Sequence, residues 1–327
     1  SSTNTFSGLY SGTYNVKIKD SFNCMLDTNV VLPDSIKVHA NAVITNILCN
    51  GDSTGVITLN AFAATAPYRY QLVSSGPLSP VNTFSNLPAT THTFHIEDTN
   101  KCYLDTTITL TQPTRIGSVP VITNVLCNGD TTGGISITGT GGVNPYTYAL
   151  GTGAYSSANN FTPLTAGTYT LHVKDNNSCI RDTTLTITEP TKLDFANLQI
   201  TNPPCYGTQS GQVIVTGTGG VTAYQYAVGT GSFSANNSFG GLGAGNHTFY
   251  IRDNNNCVAD STVTLTQPTR IIPAVAVKKS TCKPLDNGSI TLTATGGVPA
   301  YTYALGFGAY SPSTLFSPLA AGTYIMH

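Results

Sequence analysis

Eight cysteines carry the most reactive side chains of this chain, and they fall into two series with one period. Cys49, Cys127, Cys205 and Cys282 recur at intervals of 78, 78 and 77 residues. Cys24, Cys102, Cys179 and Cys257 recur at intervals of 78, 77 and 78 residues. No Cys-x-x-Cys pair and no histidine at ligand spacing accompanies them, which disfavours a zinc site. The pattern favours disulfides over free core thiols, as in small secreted domains.

The other side chains that could do acid–base chemistry do not form a repeated set. His172 and His327 share a register position, whereas His92, His95 and His247 are single strand residues. A serine nucleophile that is duplicated in every repeat would also be unusual for an enzyme. We therefore expect no enzyme activity and no cofactor.

An aspartate recurs a few residues before the second cysteine of each repeat, at Asp20, Asp98, Asp175 and Asp253. Calcium takes carboxylate and carbonyl oxygens from loops, so Asp98, Asp175 and Asp253 are calcium candidates. A single acid among asparagines is also typical of an Asx-turn, in which the side chain accepts hydrogen bonds from its own backbone. The Asx-turn is the favoured interpretation, and no other metal site is predicted.

The cysteine period organises the whole chain, which indicates tandem repeats. Cys-Asn-Gly-Asp occurs at 49–52 and again at 127–130, and a Pro-Thr step closes each repeat. Complete repeats are predicted at 34–113, 114–190 and 191–268. A partial repeat with C-terminal strands is predicted at 1–33, and one with N-terminal strands at 269–327. Because Ser1 aligns with Ser156, inside a repeat, we expect a longer array than this sequence covers.

Within a repeat the polar and apolar residues alternate with the period of a strand. Ile135 and Ile137 alternate with Ser136 and Thr138, and glycine, proline and asparagine clusters separate such runs. About seven short strands in each repeat predict an all-β fold, a tandem array of small antiparallel immunoglobulin-like β-sandwiches. Proline at the repeat boundaries stiffens the link, so we expect the array to form an elongated rod.

The composition excludes several classes of partner. Charged residues make up 9% of the chain, hydrophobic residues 40%, and the net charge is −1. A neutral, hydroxyl-rich surface has no basic patch for phosphates, so no nucleic-acid partner is expected. No apolar stretch approaches the ~18 residues of a membrane span.

Four sequence motifs recur in the repeats: Cys-Asn-Gly-Asp, Gly-Gly-x-x-Pro-Tyr-x-Tyr, Leu-x-Ala-Gly-x-Tyr and Asp-x-x-x-Cys. Together these motifs resemble the SprB repeat of gliding-motility adhesins, and parts of them are shared with PKD and fibronectin type III modules. The fourth repeat departs from them, with Cys205-Tyr206-Gly207-Thr208 in place of Cys-Asn-Gly-Asp. The resemblance implies an extracellular, cell-surface filament of gliding bacteria, exported by the type IX secretion system.

The function expected from this resemblance is a structural stalk for surface attachment and gliding motility. Its expected partners are an external surface or glycan ligand, neighbouring repeats of the chain, and lateral contacts within a filament. The alternatives are a spacer tract of a large secreted enzyme or a carbohydrate-binding array. Repeated tyrosines suggest the latter, although their period of two predicts core positions; they are Tyr68, Tyr70, Tyr146, Tyr148, Tyr224, Tyr226, Tyr301 and Tyr303.

The resemblance also implies O-glycosylation, because bacteria of this group modify Asp-(Ser/Thr)-(apolar or Thr). The motif predicts six candidate sites, at Ser35, Ser53, Thr106, Thr131, Thr183 and Ser261.

Two disulfide patterns remain open. Pairing within a repeat gives Cys49–Cys102, Cys127–Cys179 and Cys205–Cys257. In an immunoglobulin-like sandwich, however, the A–B and F–G turns lie at opposite ends, and a disulfide tolerates only about 7 Å between Cα atoms. If the repeats stack end to end, Cys49–Cys179 and Cys127–Cys257 become staples across the junctions between repeats.

Overall fold

In the computed structural model of the protein, residues 4–34, 36–281 and 287–327 are described, and they form strands and turns without a helix. The first repeat contributes β1 (Gly12–Lys19) and β2 (Met25–Leu32). The second contributes β3 (His39–Thr45), β4 (Gly55–Phe62), β5 (Arg69–Leu72), β6 (Ser75–Ser79), β7 (Thr83–Leu87), β8 (Thr91–Glu97) and β9 (Tyr103–Thr109).

The third repeat contributes β10 (Gly117–Thr123), β11 (Gly133–Thr140), β12 (Thr147–Leu150), β13 (Asn160–Leu164), β14 (Gly167–Lys174) and β15 (Ile180–Ile187). The fourth contributes β16 (Asp194–Thr201), β17 (Gly211–Thr218), β18 (Gln225–Val228), β19 (Ser238–Leu242), β20 (Gly245–Arg252) and β21 (Val258–Leu265). The fifth contributes β22 (Ile272–Lys278), β23 (Gly288–Thr295) and β24 (Leu315–Leu319).

Two small antiparallel sheets build each complete repeat. In the second repeat they have the strand orders β3-β4-β7 and β6-β5-β8-β9, and in the fourth β16-β17-β19 and β18-β20-β21. In the fourth repeat, the first, second and fourth strands therefore form one sheet, and the third, fifth and sixth strands form the other. This order is typical of immunoglobulin-like sandwiches. The predicted all-β array of antiparallel sandwiches is confirmed, while the elongated rod stays a prediction.

Of the three complete repeats, the second has the expected seven strands and the other two have six. In the third repeat the stretch that starts at Gly151 makes turns and one isolated bridge, between Tyr148 and Ser156. Its end does become a strand, because β13 begins at Asn160 and pairs with β11. In the second repeat β6, which is also rich in serine and glycine, follows β5 after only two residues and pairs with it at two positions, whereas the stretch from Gly151 meets β12 at one position.

The structure divides into two compact units. The first contains the described residues up to Val121, together with Ile135–Phe161 and Thr168–Leu185. The second contains Ile122–Gly134, Thr162–Gly167 and the described residues from Thr186 onwards. The third predicted repeat thus contributes to both units, and the domain boundaries predicted at the Pro-Thr steps stay a prediction.

The core of the first unit follows the period of two along its strands. Ile57 and Leu59 on β4 and Phe94 and Ile96 on β8 are buried, with at most 1% of their surface exposed. Both pairs belong to one cluster that lies between the two sheets of the second repeat. Burying each such side chain contributes about 1.5–3 kcal/mol, so this cluster is the main source of stability of the sandwich.

The fourth repeat gives the second unit a core in the same register. Val213 and Val215 on β17 pack with Phe249 and Ile251 on β20, and all four side chains have no exposed surface. Ile214, between the two valines, is only half-buried although it is equally apolar. The period of two along the strand therefore identifies the face that packs inward.

Glycine is required where the chain turns out of β17. Gly219 has φ of +71°, and a Cβ atom at this position would collide with the carbonyl oxygen of Lys192. Gly229 has φ of +56°, but a Cβ atom there would meet no atom within 4 Å. The two glycines share a left-handed backbone and differ in the space around it.

We expect Gly229→Ala to lower the free energy of unfolding by about 1–2 kcal/mol, the cost of a left-handed backbone for an L-residue. Gly219→Ala should lower it by roughly a further 1–3 kcal/mol, because its methyl group also displaces backbone. Urea unfolding of both variants measures the difference. Equal losses in the two variants would contradict the predicted close approach to Lys192.

Candidate functional site: the disulfide junctions between repeats

The turn between the last two strands of a repeat is built around a buried aspartate. Asp175 has 4% of its surface exposed. One of its carboxylate oxygens accepts the backbone N–H groups of Asn177 and Cys179, at 3.0 and 2.9 Å. The other accepts the N–H of Val143 at 3.0 Å. The carboxylate thus fixes the turn, ties it to the neighbouring loop and holds the backbone of the cysteine.

Asp253 repeats this arrangement in the second unit. Its two oxygens accept N–H groups from Asn255, Cys257 and Val221, at 2.9, 2.9 and 2.8 Å. In the second repeat Asp98 accepts the N–H of Cys102 at 2.8 Å and that of Thr65 at 3.2 Å. Charge-assisted hydrogen bonds of this kind are the strong ones, so the turn that presents the second cysteine is well ordered.

These contacts favour the Asx-turn over calcium for Asp98, Asp175 and Asp253. A calcium site needs several oxygens that converge on the ion, whereas each of these carboxylates faces N–H donors. Among the described residues no group of three or more histidine, cysteine, aspartate or glutamate side chains is arranged to hold a metal ion. The Asx-turn accounts for the positions of the aspartates without a cation.

The Cys-Asn-Gly motif clamps the first cysteine to the end of its own repeat. Gly129 donates its N–H to a carboxylate oxygen of Glu189 at 2.7 Å. The side-chain amide of Asn128 donates to the other oxygen of Glu189 at 3.0 Å and to the carbonyl of Pro190 at 3.1 Å. Because Gly129 has φ of +81°, this turn favours glycine. The clamp places Cys127 beside the last residues of its repeat.

The same clamp occurs in the second and fourth repeats with a glutamine in place of the glutamate. Gly51 donates its N–H to Gln112 at 2.6 Å, and Gly207 donates to Gln267 at 2.7 Å. Asn50 donates to the carbonyl of Pro113 at 2.9 Å, as Asn128 does to Pro190. The fourth repeat keeps its clamp without this asparagine, because the backbone N–H of the glycine suffices.

The first-cysteine turn of the second repeat also contains the letters of a serine nucleophile elbow, Gly51-Asp52-Ser53-Thr54-Gly55. A nucleophile elbow is a sharp turn from a strand into a helix, which exposes the serine hydroxyl above a sheet. Here the five residues lie in a turn that leads into β4, and the described residues contain no helix. The segment therefore has the composition of the motif without its geometry.

Among the described residues, each compact unit contains one disulfide that joins consecutive repeats. Cys49 bonds to Cys179 in the first unit and Cys127 to Cys257 in the second, each with Cα atoms 5.6 Å apart and a sequence separation of 130. An asparagine beside each bond reinforces it across the same junction. Asn177 donates to the carbonyl of Leu48 at 2.9 Å, and Asn255 donates to that of Leu126 at 2.8 Å.

These are the two pairs that the junction-staple hypothesis names, and they exclude the pairs within one repeat, Cys49–Cys102, Cys127–Cys179 and Cys205–Cys257. The physical reason is the length of the last strand. Cys102 directly precedes β9, whereas Ile47, two residues before Cys49, donates its N–H to Thr111 beyond the end of β9. Nine extended residues span about 30 Å, far more than a disulfide allows.

The pairing rule also accounts for the cysteines that are free. Cys24, Cys102 and Cys205 are unpaired, and Cys282 lies outside the described residues. With a separation of 130 residues, the partner position of each falls outside residues 1–327. The rule, first cysteine of one repeat to second cysteine of the next, therefore holds wherever both positions are described.

The candidate glycosylation sites divide into two groups. Thr106 lies opposite Phe94, and Ser261 opposite Phe249, in the cross-strand pairs of sheets whose phenylalanines are fully buried. Thr183 is half-buried and bonds the hydroxyl of Ser118 at 3.0 Å. These three face inward, which leaves little room for a glycan and disfavours their modification. Ser53 and Thr131 are exposed on the first-cysteine turns, and Ser35 lies outside the described residues.

The repeated tyrosines are core residues. The second tyrosine of each pair is buried, with 7–8% of its surface exposed; these are Tyr70, Tyr148, Tyr226 and Tyr303. Their half-buried neighbours donate their hydroxyl groups to backbone carbonyls of the preceding loop, for example Tyr68 to Ala64 at 2.7 Å and Tyr224 to Gly219 at 2.6 Å. Their rings are therefore not available as platforms for sugar rings.

Two histidines that the sequence left without a role pair with aspartates across the outer strands. Nδ1 of His95 lies 2.5 Å from Oδ1 of Asp105, and Nδ1 of His172 lies 2.5 Å from Oδ1 of Asp182. In the third repeat Lys174 lies over the ring of Tyr155, at 4.1 Å from its centre. Burial, and then the charge of Asp182, raises the pKa of Tyr155 above its ordinary value. These contacts tie down the loop that carries Tyr155.

Sequence reasoning missed the residues that orient the two cysteines. Gln112, Glu189 and Gln267 hold the first-cysteine turn, and Asn177 and Asn255 cross the junction. Their recurrence at the repeat period could have indicated this role, since three of them precede a proline and the two asparagines stand two residues before a cysteine. Recurrence alone did not distinguish it, because a polar residue before Pro-Thr and an asparagine in a turn each have an ordinary local explanation.

A family model matches three segments of the chain. The family model of the SprB repeat matches residues 41–76, 119–155 and 274–309. Together with the sandwich fold, this match supports a repeat region of the surface-adhesin type. The three matched segments make up about a third of the chain, and each is similar to the SprB repeat. A search of curated proteins gives no match.

Solved structures with similar coordinates are chains of tandem domains. The N-terminal eight Ig domains of Down Syndrome Cell Adhesion Molecule match over 79% of this chain, at 10% identity and a TM-score of 0.34, and this chain spans 40% of that one. Sidekick-1 immunoglobulin domains 1–5 match over 79%, at 11% identity and a TM-score of 0.29, with 66% of that chain covered.

A C-terminal fragment of intimin, solved with the intimin-binding domain of the translocated intimin receptor, matches over 50% of this chain. Its identity is 17%, its TM-score 0.28, and 67% of that fragment is covered. TM-scores this low do not support a fold assignment, so the assignment rests on the strands of the chain itself.

Within the part of the chain that the structure describes, no helix is long and apolar enough to span a membrane.

We expect Asp253→Ala to lower the free energy of unfolding by about 2–4 kcal/mol, because three backbone N–H groups lose their acceptor. The matched control is Asp130→Ala, which removes an exposed carboxylate and should change stability by less than about 0.5 kcal/mol. Urea unfolding measures both. Calcium or a chelator should leave the melting temperature of the unaltered chain unchanged, and a rise with calcium would support the calcium hypothesis instead.

Proposed function

We propose that this chain is a stalk segment of a long extracellular adhesin that carries tension, in which disulfides join each repeat to the next. The observation that carries the proposal is the pairing of the first cysteine of one repeat with the second cysteine of the following repeat. A disulfide inside a single domain stabilises that domain alone. A disulfide between consecutive repeats instead resists their separation.

The two disulfide loops interlock along the chain, which suits a role under tension. Cys127 lies inside the loop closed by Cys49 and Cys179, and Cys179 lies inside the loop closed by Cys127 and Cys257. A pulling force on the ends therefore meets covalent bonds before it can extend most of the intervening residues. Hydrogen bonds from Asn177 and Asn255 support the same junctions.

An extracellular location is part of the proposal. Disulfides persist in oxidising surroundings and are rare in the cytosol. Surface attachment, gliding motility, export by the type IX secretion system and binding to an external surface or glycan follow from the SprB repeat as proposals of the same kind. Lateral contacts in a filament belong to the proposal as well. Ser53 and Thr131 are exposed and are its most accessible candidates for O-glycosylation.

A purely structural role without catalysis is proposed because the repeated residues serve the fold. The recurring aspartates accept backbone N–H groups, and the recurring tyrosines pack in the core or bond carbonyls. The tyrosines that suggested a sugar-binding array are packed inside, so they do not support that alternative.

Stretching single molecules of the full chain by its ends tests the role under tension. Each disulfide encloses a loop of 130 residues, which corresponds to about 450 Å of extended chain. The oxidised chain should therefore extend to a length shorter by at least this amount than the chain treated with a reductant. A Cys102→Ser, Cys205→Ser variant, which lacks only free thiols, should behave as the unaltered chain does. Equal extension with and without reductant would contradict the proposal.

A further inference from the structure

The two disulfides have the same local frame but different charged surroundings. In both, the Cα atoms are 5.6 Å apart, and the cysteines are half-buried and line a surface groove. The charged residues that line the groove of Cys49–Cys179 are Asp52, Arg115 and Arg181. Those that line the groove of Cys127–Cys257 are Asp130, Lys192, Asp194 and Asp260. The first groove is therefore net positive and the second net negative.

Substitutions at two register positions account for most of this difference. Arg181 lies two residues after Cys179, and the position two residues after Cys257 is Ala259. Asp194 lies two residues after Lys192, and the position two residues after Arg115 is Gly117.

The remaining charges are matched in sign between the two junctions. Asp52 matches Asp130, and Arg115 matches Lys192. Asp260 matches Asp182, which bonds to His172 and is not among the residues that line the first groove. The chain thus carries two versions of one junction that differ mainly in electrostatic potential.

We propose that the disulfides between repeats are graded in reactivity, so that anionic thiols open Cys49–Cys179 before Cys127–Cys257. This goes beyond the stalk function, because it concerns the order in which the joints open in a reducing environment. The co-reactant is a low-molecular-weight thiol with negative charge, and the reacting species is its thiolate.

The reaction is a thiol–disulfide exchange in two steps. A thiolate sulfur attacks one cysteine sulfur, the protein S–S bond breaks, and the other cysteine leaves as a thiolate with the electron pair. A second reductant thiolate then attacks the reductant sulfur of the mixed disulfide and releases the first cysteine as a thiolate. Two reductant thiols are oxidised to one disulfide, the protein disulfide is reduced to two thiols, and the cysteine thiolates take up protons from solvent.

Negative charge enters the groove in the first step and remains on the sulfurs in the transition state. Arg115 and Arg181 attract that charge, whereas Asp194 and Asp260 repel it. All four side chains are exposed, so salt must screen the effect. For an anionic thiol at low ionic strength we expect Cys49–Cys179 to be reduced about threefold to tenfold faster than Cys127–Cys257.

Partial reduction of the full oxidised chain tests the proposal. Samples treated with 2-mercaptoethanesulfonate, 2-mercaptoethanol or cysteamine are quenched with iodoacetamide, and mass spectrometry of peptides gives the reduced fraction of each cysteine. The preference for Cys49–Cys179 should be largest with the sulfonate, smaller with mercaptoethanol, and lost or reversed with cysteamine, whose ammonium group offsets its thiolate. It should also vanish at about 1 M salt, where the Debye length is ~3 Å.

The register positions supply matched variants. Arg181→Ala should slow reduction of Cys49–Cys179 by the sulfonate about twofold to fivefold, and Ala259→Arg should accelerate that of Cys127–Cys257 by a similar factor. Lys17→Gln serves as the control, because this lysine pairs with Asp27 across the hairpin of β1 and β2, lines neither groove and should leave both rates unchanged.

A preference that stays the same with all three thiols and at all salt concentrations would overturn the proposal, since access and not charge would then set the order. Equal rates for the two disulfides with the sulfonate at low salt would overturn it as well. Neither result would affect the stalk's role under tension, which depends on the pairing of the cysteines and not on their order of reduction.

Discussion

The length of the last strand of each repeat is the constraint on which the rest of the structure depends. The first cysteine is clamped where that strand ends, by hydrogen bonds such as those of Asn128 and Gly129 to Glu189. The second cysteine stands where the same strand begins, held by an aspartate such as Asp253. A repeat therefore cannot close a disulfide on itself, and each of its cysteines is presented to a neighbour.

The hydrogen bonds at both turns explain why the covalent bond can form across a joint. Each cysteine backbone is held by contacts other than the disulfide, through N–H groups donated to Asp175 on one side and through the Asn-Gly clamp on the other. In the chain-entropy account, closing a loop of 130 residues contributes about 5 kcal/mol to stability. Its contribution under tension is separate, because the bond also limits how far consecutive repeats can be drawn apart.

Much of the fold could be predicted from the sequence, because the period of two and the repeat period are explicit. Ile57 and Leu59 alternate with polar residues and lie in the core as this pattern predicts. The pairing of the cysteines stayed open, since it depends on where a strand begins and ends to within a few residues. The aspartates were ambiguous because a carboxylate among asparagines suits both a cation and a set of N–H donors, and only the geometry distinguishes them.

Two features could have been predicted from the sequence: the inward orientation of Thr106 and the polar residue before each boundary proline. Thr106 lies two residues from both Leu104 and Ile108, which pack against the core, so its inward orientation follows from the same period of two. Gln112, Glu189 and Gln267 recur in register before the boundary proline. The opposite charge of the two grooves could not be predicted, because Arg115 and Asp194 lie far along the chain from the cysteines of their grooves and approach them only in the folded structure.

Peptide mapping of the native chain without reduction tests the central claim most directly. We expect a peptide with Cys49 linked to one with Cys179 and a peptide with Cys127 linked to one with Cys257, with neither Cys102 nor Cys205 linked to any of these four cysteines. A link between Cys49 and Cys102, or between Cys205 and Cys257, would contradict the claim, because each repeat would then be closed on itself and the joints would carry no covalent bond.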